Sequence, residues 1–225
     1  MEKKRTSQIT NDGITVLVYG QSGVGKTTLI RTLPGKVLIL SAEAGLLSLR
    51  DTDIEYVDIH TMDNLNEAYS YILSNINEYN CIVLDSLSEI GEVILANEKK
   101  TSKDARMAYL TMQDQILDLV RAFRDLPVTV YMTAKLEKVK DDITGRVMFA
   151  PSLPGQKCSQ NLPYHFDEVL CLRSESDDDG KPVRFLQTFT DSSYCCKDRS
   201  GKLQPYEDAD LGSIIRRINE NTSQY

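Results

Sequence analysis

One stretch of eight residues constrains the fold of this chain more than any other. It reads GQSGVGKT over residues 20–27 and fits the P-loop pattern, a glycine-rich turn closed by Gly-Lys-Ser/Thr. Glycines allow the tight turn that points backbone N–H groups at phosphate oxygens, which a Cβ would obstruct. Residues 14–19 before it predict a buried strand, and residues 27–33 predict a helix that begins at the loop. Together these features predict an α/β fold that binds a nucleoside triphosphate.

The last residues of the loop indicate which ligands it takes. Lys26 is placed to reach the β and γ phosphates, and the Thr27 hydroxyl to complete a Mg²⁺ shell. ATP and Mg²⁺ are therefore the predicted cofactors. The residues predicted to bind the nucleotide are Gly20, Gln21, Ser22, Gly23, Val24, Gly25, Lys26, Thr27 and Thr28.

A second strand end carries a carboxylate that suits the same metal. Four apolar residues, CIVL at 81–84, precede Asp85. An Asp at the carboxyl end of a strand downstream of a P-loop is the Walker B arrangement, in which the carboxylate lies near Mg²⁺ or its waters. Thr27 and Asp85 are therefore the predicted metal ligands.

Composition and charge exclude several other functions. A chain of 225 residues is long enough for one α/β domain and short for two. Since no run of about 18 apolar residues occurs, we expect a cytoplasmic protein without a membrane partner. The five cysteines lack C-x-x-C spacing, which argues against a zinc site or a disulfide framework. The net charge of -7 excludes coating of nucleic acid by bulk charge, so any such contact must be local.

Apolar patterns after the loop alternate between strand and helix. Strands are predicted at residues 36–40, 54–59, 81–84 and 128–133, and helices at residues 64–79 and 109–123. Such alternation predicts a mainly parallel sheet with right-handed crossovers. Ligands of such sheets gather at the carboxyl ends of the strands.

The two ends of the chain differ from this pattern. Residues 1–13 are polar and predict a flexible tail, which leaves 14–225 as a single domain. Residues 166–173 and 183–190 predict an antiparallel hairpin around an acidic turn. A final amphipathic helix is predicted at about residues 208–220.

Two further segments lack periodicity and carry local positive charge. Residues 96–106, ANEKKTSKDAR, interrupt a helical pattern, and a solvated turn is the alternative interpretation. Residues 134–163 are broken repeatedly by proline and glycine, and long structureless segments in compact domains are usually functional or disordered. The stretch from Lys135 to Lys157 contains five basic residues and three acidic ones. This local surplus of positive charge suits a mobile loop that binds an anion.

The order of the short motifs resembles one family. GQSGVGKT is followed by Ser41-Ala42-Glu43 at a strand end, LDS at 84–86, MTAK at 132–135, PSLPGQ at 151–156 and KDR at 197–199. This order resembles the RecA/RadA recombinase core, and more closely the phage-encoded RecA-like ATPases classed as single-strand annealing recombinases, the Sak-four group. The resemblance covers roughly residues 14–218 and implies a RecA-like P-loop NTPase fold with a C-terminal antiparallel hairpin extension.

The resemblance implies roles for two residues near the phosphates, beside the catalytic Lys26. Glu43 matches the glutamate that deprotonates the attacking water. Asp85 is followed by Ser86, not by the Glu common in other ATPases of this class, so the base must come from elsewhere; Glu89 is the alternative. Lys135 falls where recombinases usually carry a Gln that senses the γ phosphate, and this departure leaves open a direct phosphate contact.

Two later residues imply an assembly. Lys197 and Arg199 fall where the family places basic residues that reach the neighbouring subunit's ATP, as an arginine finger does. Basic residues on a hairpin are the alternative interpretation. The finger role implies a homo-oligomer, a filament or ring, in which active sites are shared.

The two basic segments would occupy the places of the family's DNA-binding loops. Single-stranded DNA, held through its phosphates, is the implied ligand, and a single-strand-binding protein is a further partner. The residues implied in DNA binding are Lys99, Lys100, Lys103, Arg106, Lys138, Lys140, Arg146 and Lys157.

The resemblance therefore predicts a phage-type ATPase, stimulated by DNA, that binds and anneals single strands in the host cytoplasm. Annealing is favoured over strand exchange because the extra terminal domains of larger recombinases are not found here. Two alternatives remain at this point. One is a nucleotide-gated accessory protein such as a helicase loader, and the other is a small-molecule kinase, whose P-loop would look the same.

Overall fold

The computed structural model describes residues 13–140 and 145–220. The strands of this part of the chain are β1 (Thr15–Gly20), β2 (Val37–Ser41), β3 (Glu55–Asp58), β4 (Cys81–Asp85), β5 (Thr129–Lys140), β6 (Val147–Ser152), β7 (Glu168–Ser176), β8 (Pro182–Gln187), β9 (Lys197–Asp198) and β10 (Tyr206–Asp208). The helices are α1 (Met62–Asn75), α2 (Leu87–Thr101), α3 (Ala105–Arg124), α4 (Gln156–Asn161) and α5 (Leu211–Asn219).

These strands form one sheet in the order β10-β8-β7-β1-β5-β4-β2-β3, with β6 paired to β5 and β9 paired to β7. The six strands from β7 to β3 along this path run parallel to one another. The strands β6, β8, β9 and β10 pair antiparallel with their neighbours. The predictions of a mainly parallel sheet flanked by helices and of a C-terminal antiparallel hairpin, β7–β8, are therefore confirmed.

Both faces of the sheet are buried, which explains why its central strands are apolar at nearly every position. Leu17 and Tyr19 of β1 face a core shared with α1, α2 and α3. Val16 and Val18 point to the other face, where α5 and the short helix after the P-loop cover them. The loops at the carboxyl edge of the sheet thus rest on a rigid three-layer scaffold.

The helix predicted at residues 27–33 is shorter and tighter than expected. The structure has a 3-10 helix at Thr28–Thr32. The residue before a proline is disfavoured in the helical region, and Leu33, which precedes Pro34, is extended with φ −67° and ψ 140°. The chain between the loop and this proline is too short for a regular α-helix of average length.

The first basic segment, residues 96–106, is not an open loop. Helix α2 continues through Thr101, and α3 begins after Asp104, whose carboxylate accepts the Arg106 backbone N–H at 2.8 Å. The segment comprises the end of α2, a three-residue connection at 102–104 and the start of α3, so the apolar periodicity is lost about five residues before α2 ends.

The second basic segment is not structureless either. Strand β5 continues through Lys140 and pairs antiparallel with β6, from Lys135 opposite Ser152 to Lys140 opposite Val147. We call β5 from residue 135 onwards together with β6 the basic ribbon. The side chains of Lys135, Lys138, Lys140 and Val147 are exposed and the others are half-buried or buried. Polar and apolar residues do not alternate strictly along either strand of the ribbon, so the ribbon was not predicted. A short helix, α4, follows it, and residues 141–144 at the tip lie outside the described part.

Two other predictions concern the N-terminal tail and the absence of membrane-spanning segments. The predicted tail, residues 1–13, lies outside the described residues except for Gly13. Across 13–140 and 145–220, none of the helices combines the length and apolar character that crossing a bilayer requires.

Candidate active site

The P-loop lines a cavity of about 490 Å³ at the carboxyl edge of the sheet, a size typical of small-ligand sites. The cavity is lined by Gly20, Gln21, Ser22, Gly23, Gly25, Lys26, Thr27, Thr28, Glu43, Gly45, Ser48, Lys135 and Leu136. Of the residues predicted to bind the nucleotide, Val24 alone is not in this lining, because its side chain packs against the core under α5. Eight of the nine residues predicted to bind the nucleotide thus line one cavity.

Two loop positions require glycine in this structure. A Cβ on Gly20 would lie 2.7 Å from the carbonyl oxygen of Leu172, a distance that real Cβ atoms do not reach. Gly25 has φ +111°, a conformation that side chains strongly disfavour. The loop is therefore a cradle of bare backbone, which suits close approach of phosphate oxygens.

Lys26 occupies the mouth of this cradle. Its Nζ donates to the carbonyl oxygens of Gly20 and Gln21, both at 3.0 Å. Burial lowers the pKa of the Lys26 ammonium, while the Glu43 and Asp85 carboxylates act in the opposite direction. Because carbonyl oxygens already accept from this ammonium, phosphate oxygens fit the same donor.

The predicted metal ligands lie together. The Thr27 hydroxyl donates to Oδ2 of Asp85 at 2.7 Å, and the Thr133 hydroxyl donates to its Oδ1. Ser41 lies beside Asp85 in the sheet, and its buried Oγ has no hydrogen-bond partner among the described residues. An orphaned hydroxyl next to a carboxylate and a threonine fits Mg²⁺ with its waters, since this ion prefers oxygen ligands and retains water.

Glu43 follows β2 and reaches the cavity from the side opposite Lys26. The Ala42 and Glu43 backbone N–H groups donate to the Asp85 carbonyl at 2.8 and 3.4 Å, which ties this turn to β4. Oε1 of Glu43 accepts a hydrogen bond from Oγ of Ser86 at 2.5 Å. The structure thus brings Glu43 next to the predicted metal ligands.

Lys135 also lines the cavity, but the alternative base, Glu89, does not. The Lys135 ammonium is paired with the Glu89 carboxylate, and this partner raises the pKa of Lys135 above its ordinary value. The Lys135 backbone N–H donates to Oγ of Ser88 at 2.9 Å. Glu89 is therefore held by a cation, whereas Glu43 is held by a neutral hydroxyl.

The structure does not bring Lys197 and Arg199 to the cavity of their own chain. Strand β9 pairs with the first residues of β7, so both side chains lie at the amino edge of the sheet. Nζ of Lys197 donates to the carbonyl oxygen of Phe166 at 2.7 Å. The Arg199 guanidinium donates to Oδ1 of Asp167 at 2.7 Å. A role at a phosphate would therefore require the cavity of a neighbouring chain.

A buried acid lies under this segment. The Glu168 carboxyl is fully buried, and its Oε2 has no partner in the part of the chain that the structure describes. Burial and the neighbouring Asp198 carboxylate raise the pKa of Glu168 to about 8. Its protonated form therefore stabilises the fold at low pH, and this contribution is lost as pH rises towards 8.

We expect Glu168→Gln to remove this pH dependence, because glutamine keeps the shape and stays neutral. The wild-type free energy of unfolding should fall between about pH 6 and about pH 8.5, and the variant should be more stable at the upper pH by about 2 kcal/mol. Urea denaturation at both pH values measures the difference. Glu67→Gln, at an exposed position of α1, is the control. An unchanged slope in Glu168→Gln would contradict the assignment.

The residues implied in DNA binding fall into two groups. The first group lies at the turn between α2 and α3 and comprises the exposed residues Lys99, Lys100, Lys103 and Arg106. The second group comprises Lys138 and Lys140 on the basic ribbon, Arg146 just before β6, and Lys157 in α4, whose side chain lies outside the described part. The structure brings no member of either group into the cavity lining.

Sequence reasoning missed several residues of these sites. One is Tyr109 of α3, whose side chain is 38% exposed and whose ring centre lies 5.2 Å from the Lys99 ammonium. Ser41, Ser48 and Thr133 were missed as well. For Ser41 and Thr133 the available signal was a hydroxyl residue at or just past the end of a predicted strand, whereas Ser48 lies in a 3-10 helix and carries no such signal.

Comparison with known proteins gives three findings. A sequence model of a family described as an AAA domain matches residues 12–200. No curated protein matches the chain. Among solved structures, a KaiC-like protein from the hyperthermophilic archaeon Pyrococcus horikoshii OT3 is similar, with a TM-score of 0.41 and 17% sequence identity over 77% of each chain.

Proposed function

The chain belongs to the AAA domain family, and we propose that it is an ATP-dependent protein that binds and anneals single-stranded DNA. Family membership and the cavity support a P-loop ATPase. The choice of DNA as its effector rests on the placement of the basic ribbon relative to the cavity, together with the resemblance to phage annealing recombinases.

Each residue of the cavity has a defined task in this proposal. Bound Mg-ATP supplies the phosphoryl group that is attacked by water. Lys26 and the loop N–H groups orient the phosphates, and Thr27 with Asp85 would hold the metal. Glu43 accepts the proton of the attacking water, and the hydrogen bond from Ser86 fixes the orientation of its carboxylate.

The observation that carries the proposal is the continuity of β5. One strand runs from Thr129 in the buried sheet past Lys135 in the cavity lining to Lys140 on the basic ribbon. Its last pair with β1 joins Lys135 to Gly20 of the P-loop. A change at the phosphates can therefore reach Lys138 and Lys140 through a single hydrogen-bonded strand, without an intervening flexible linker.

The basic group at the turn between α2 and α3 supports the same interpretation by its position. Helix α3 contacts the 3-10 helix Leu162–His165 that leads to the amino edge, and its Gln113 lies beside Gly155, just past β6. The N-terminal end of α3 therefore projects beyond the carboxyl edge, on the side of the basic ribbon. There Lys99 and Tyr109 combine a cation with an exposed ring, and ring faces stack on unpaired bases.

The proposal includes a homo-oligomer in the cytoplasm. Lys197 and Arg199 lie at the amino edge, so they would serve a site only if this edge met the carboxyl edge of the next chain. Such an arrangement would supply the cation that neutralises charge on the γ phosphate. Hydrolysis would then depend on assembly, and single-stranded DNA would promote it by aligning chains.

The test is the ATPase rate of the wild-type protein with and without single-stranded DNA, measured across protein concentration. We expect DNA to raise the rate, and the rate to rise more than linearly with protein. A rate strictly proportional to protein and indifferent to DNA would overturn the DNA and assembly parts of the proposal. Absence of DNA affinity together with a stable complex with a replication protein would favour a helicase loader instead.

We expect the double variant Lys138→Ala/Lys140→Ala to bind single-stranded DNA more weakly and to lose DNA stimulation of the ATPase. The logarithmic salt dependence of its affinity should be shallower by about one to two units, because fewer phosphates are neutralised. Fluorescence anisotropy across a salt series measures both quantities. Lys181→Ala/Arg216→Ala removes two exposed charges elsewhere and is the matched control. An unchanged slope would mean that the ribbon lysines do not contact DNA.

A further inference from the structure

An arginine from the C-terminal hairpin packs directly on the P-loop. Arg184 lies on β8 opposite Ser174 of β7. Its Cζ, Nη1 and Nε atoms lie 3.3, 3.3 and 3.4 Å from the position that a Cβ on Gly25 would take. Three nearly equal distances mean that the flat face of the guanidinium covers the glycine. The N–H groups lie in the plane of the guanidinium, so they are not directed at the backbone of Gly25.

These N–H groups are not used elsewhere in the described part of the chain. Arg184 makes no hydrogen bond or ion pair there, whereas Arg31, Arg173, Arg199 and Arg217 are each paired with a carboxylate. On the adjoining strand, the Glu175 carboxylate is paired with Arg173. A guanidinium has five donors and stays charged at any pH that the fold tolerates. Arg184 therefore presents a permanent cation with open donors at the edge of an anion cradle.

The contact between Arg184 and the P-loop depends on the β7–β8 hairpin. The loop begins over β7, where Gly20 meets the carbonyl oxygen of Leu172, and it returns against β8 at Arg184. A side chain at residue 25 would displace the guanidinium, so the glycine that leaves the backbone open to phosphate also admits the arginine. The contact thus joins the nucleotide loop to a part of the chain that neither the P-loop pattern nor the resemblance assigns to the site.

We propose that Arg184 binds the phosphate chain of the nucleotide held by the same chain. This inference rests on nucleotide binding in the proposed function. The guanidinium donates charge-assisted hydrogen bonds to phosphate oxygens from the β8 side of the loop, while Lys26 donates from within it. It is separate from Arg199, which lies at the opposite edge of the sheet and could act only on another chain.

The test is equilibrium binding of ATP and of inorganic tripolyphosphate, each with Mg²⁺, to wild-type, Arg184→Ala and Arg184→Lys proteins by calorimetry. Because a hydrogen bond to a charged group is strong, we expect Arg184→Ala to weaken both ligands by about tenfold or more. Arg184→Lys should recover part of the loss, since lysine keeps the charge but not the planar fork. Lys181→Ala removes an exposed charge from the same hairpin and should leave both affinities unchanged.

The two ligands separate the possible outcomes. Unchanged affinity of Arg184→Ala for both ligands would overturn the proposal. A loss for ATP with none for tripolyphosphate would also overturn it, because the contact would then be with the base or ribose. Equal losses of affinity in Arg184→Ala and Lys181→Ala would show that the effect comes from the overall charge of the hairpin. This result would overturn the proposal of a specific contact between Arg184 and phosphate. Failure of the wild-type protein to bind ATP would instead overturn the proposed function, and this inference with it.

Discussion

Replacing Lys26 with alanine is expected to abolish ATP turnover, with a fall in kcat of about a thousandfold or more. The Lys26 ammonium donates hydrogen bonds to two loop carbonyls at the mouth of the cradle. It is the loop side chain placed to stabilise the negative charge that develops on the transferred phosphoryl group. Alanine removes the cation but leaves the glycine backbone intact. Release of inorganic phosphate under saturating ATP measures the change.

The control for this prediction is Lys36→Ala. Lys36 is an exposed lysine that pairs with Glu55 and Glu78, so its loss should leave turnover unchanged. The two variants carry the same change of charge and differ in their distance from the cavity. Wild-type turnover in Lys26→Ala would remove the basis for assigning catalysis to the P-loop.

The second large effect is expected for Glu43→Gln, which should retain ATP binding and lose hydrolysis by about a hundredfold to ten-thousandfold. Glutamine keeps an oxygen that can accept the Ser86 hydroxyl, so the turn after β2 should hold its shape. It cannot accept a proton from water. Single-turnover hydrolysis, measured together with ATP affinity, separates the chemical step from binding.

Glu89→Gln is the matched comparison, because it removes a carboxylate of the same charge close to the same cavity. We expect a smaller effect from it, since the Glu89 carboxylate is paired with Lys135 and does not line the cavity. The reverse ranking, with Glu89→Gln the more damaging variant, would move the general base to Glu89.

The central features of the fold could be predicted because they follow from local patterns. The run before Gly20 is apolar on both faces, as a strand covered by two helical layers must be, and the loop sequence fixes a conformation that needs glycine. The position of Asp85 beside the P-loop could be predicted for the same reason, since it ends an apolar strand, and its role as a metal ligand stays a prediction. These signals are contained in short stretches of sequence, so one chain was sufficient to find them.

The remaining features depend on contacts between distant parts of the chain. Beyond Lys135 the basic ribbon leaves the parallel part of the sheet, and its residues do not alternate strictly between polar and apolar, so no apolar period marks its strands. Arg184 meets Gly25 only because β8 folds back beside β7, and no local pattern shows this contact. Lys197 and Arg199 were found through the resemblance, but their placement at the amino edge required the pairing of β9 with β7.

The unbroken course of β5 has a thermodynamic consequence. The ribbon is anchored to the sheet at its base, where the Tyr19 hydroxyl donates to the Phe149 carbonyl of β6, so it is not an independent arm. If the nucleotide changes the affinity of this ribbon for a polyanion by some factor, the polyanion must change the affinity for the nucleotide by the same factor. If single-stranded DNA is that polyanion, as we propose, it would change the affinity for ATP by the same factor by which ATP changes the affinity for DNA.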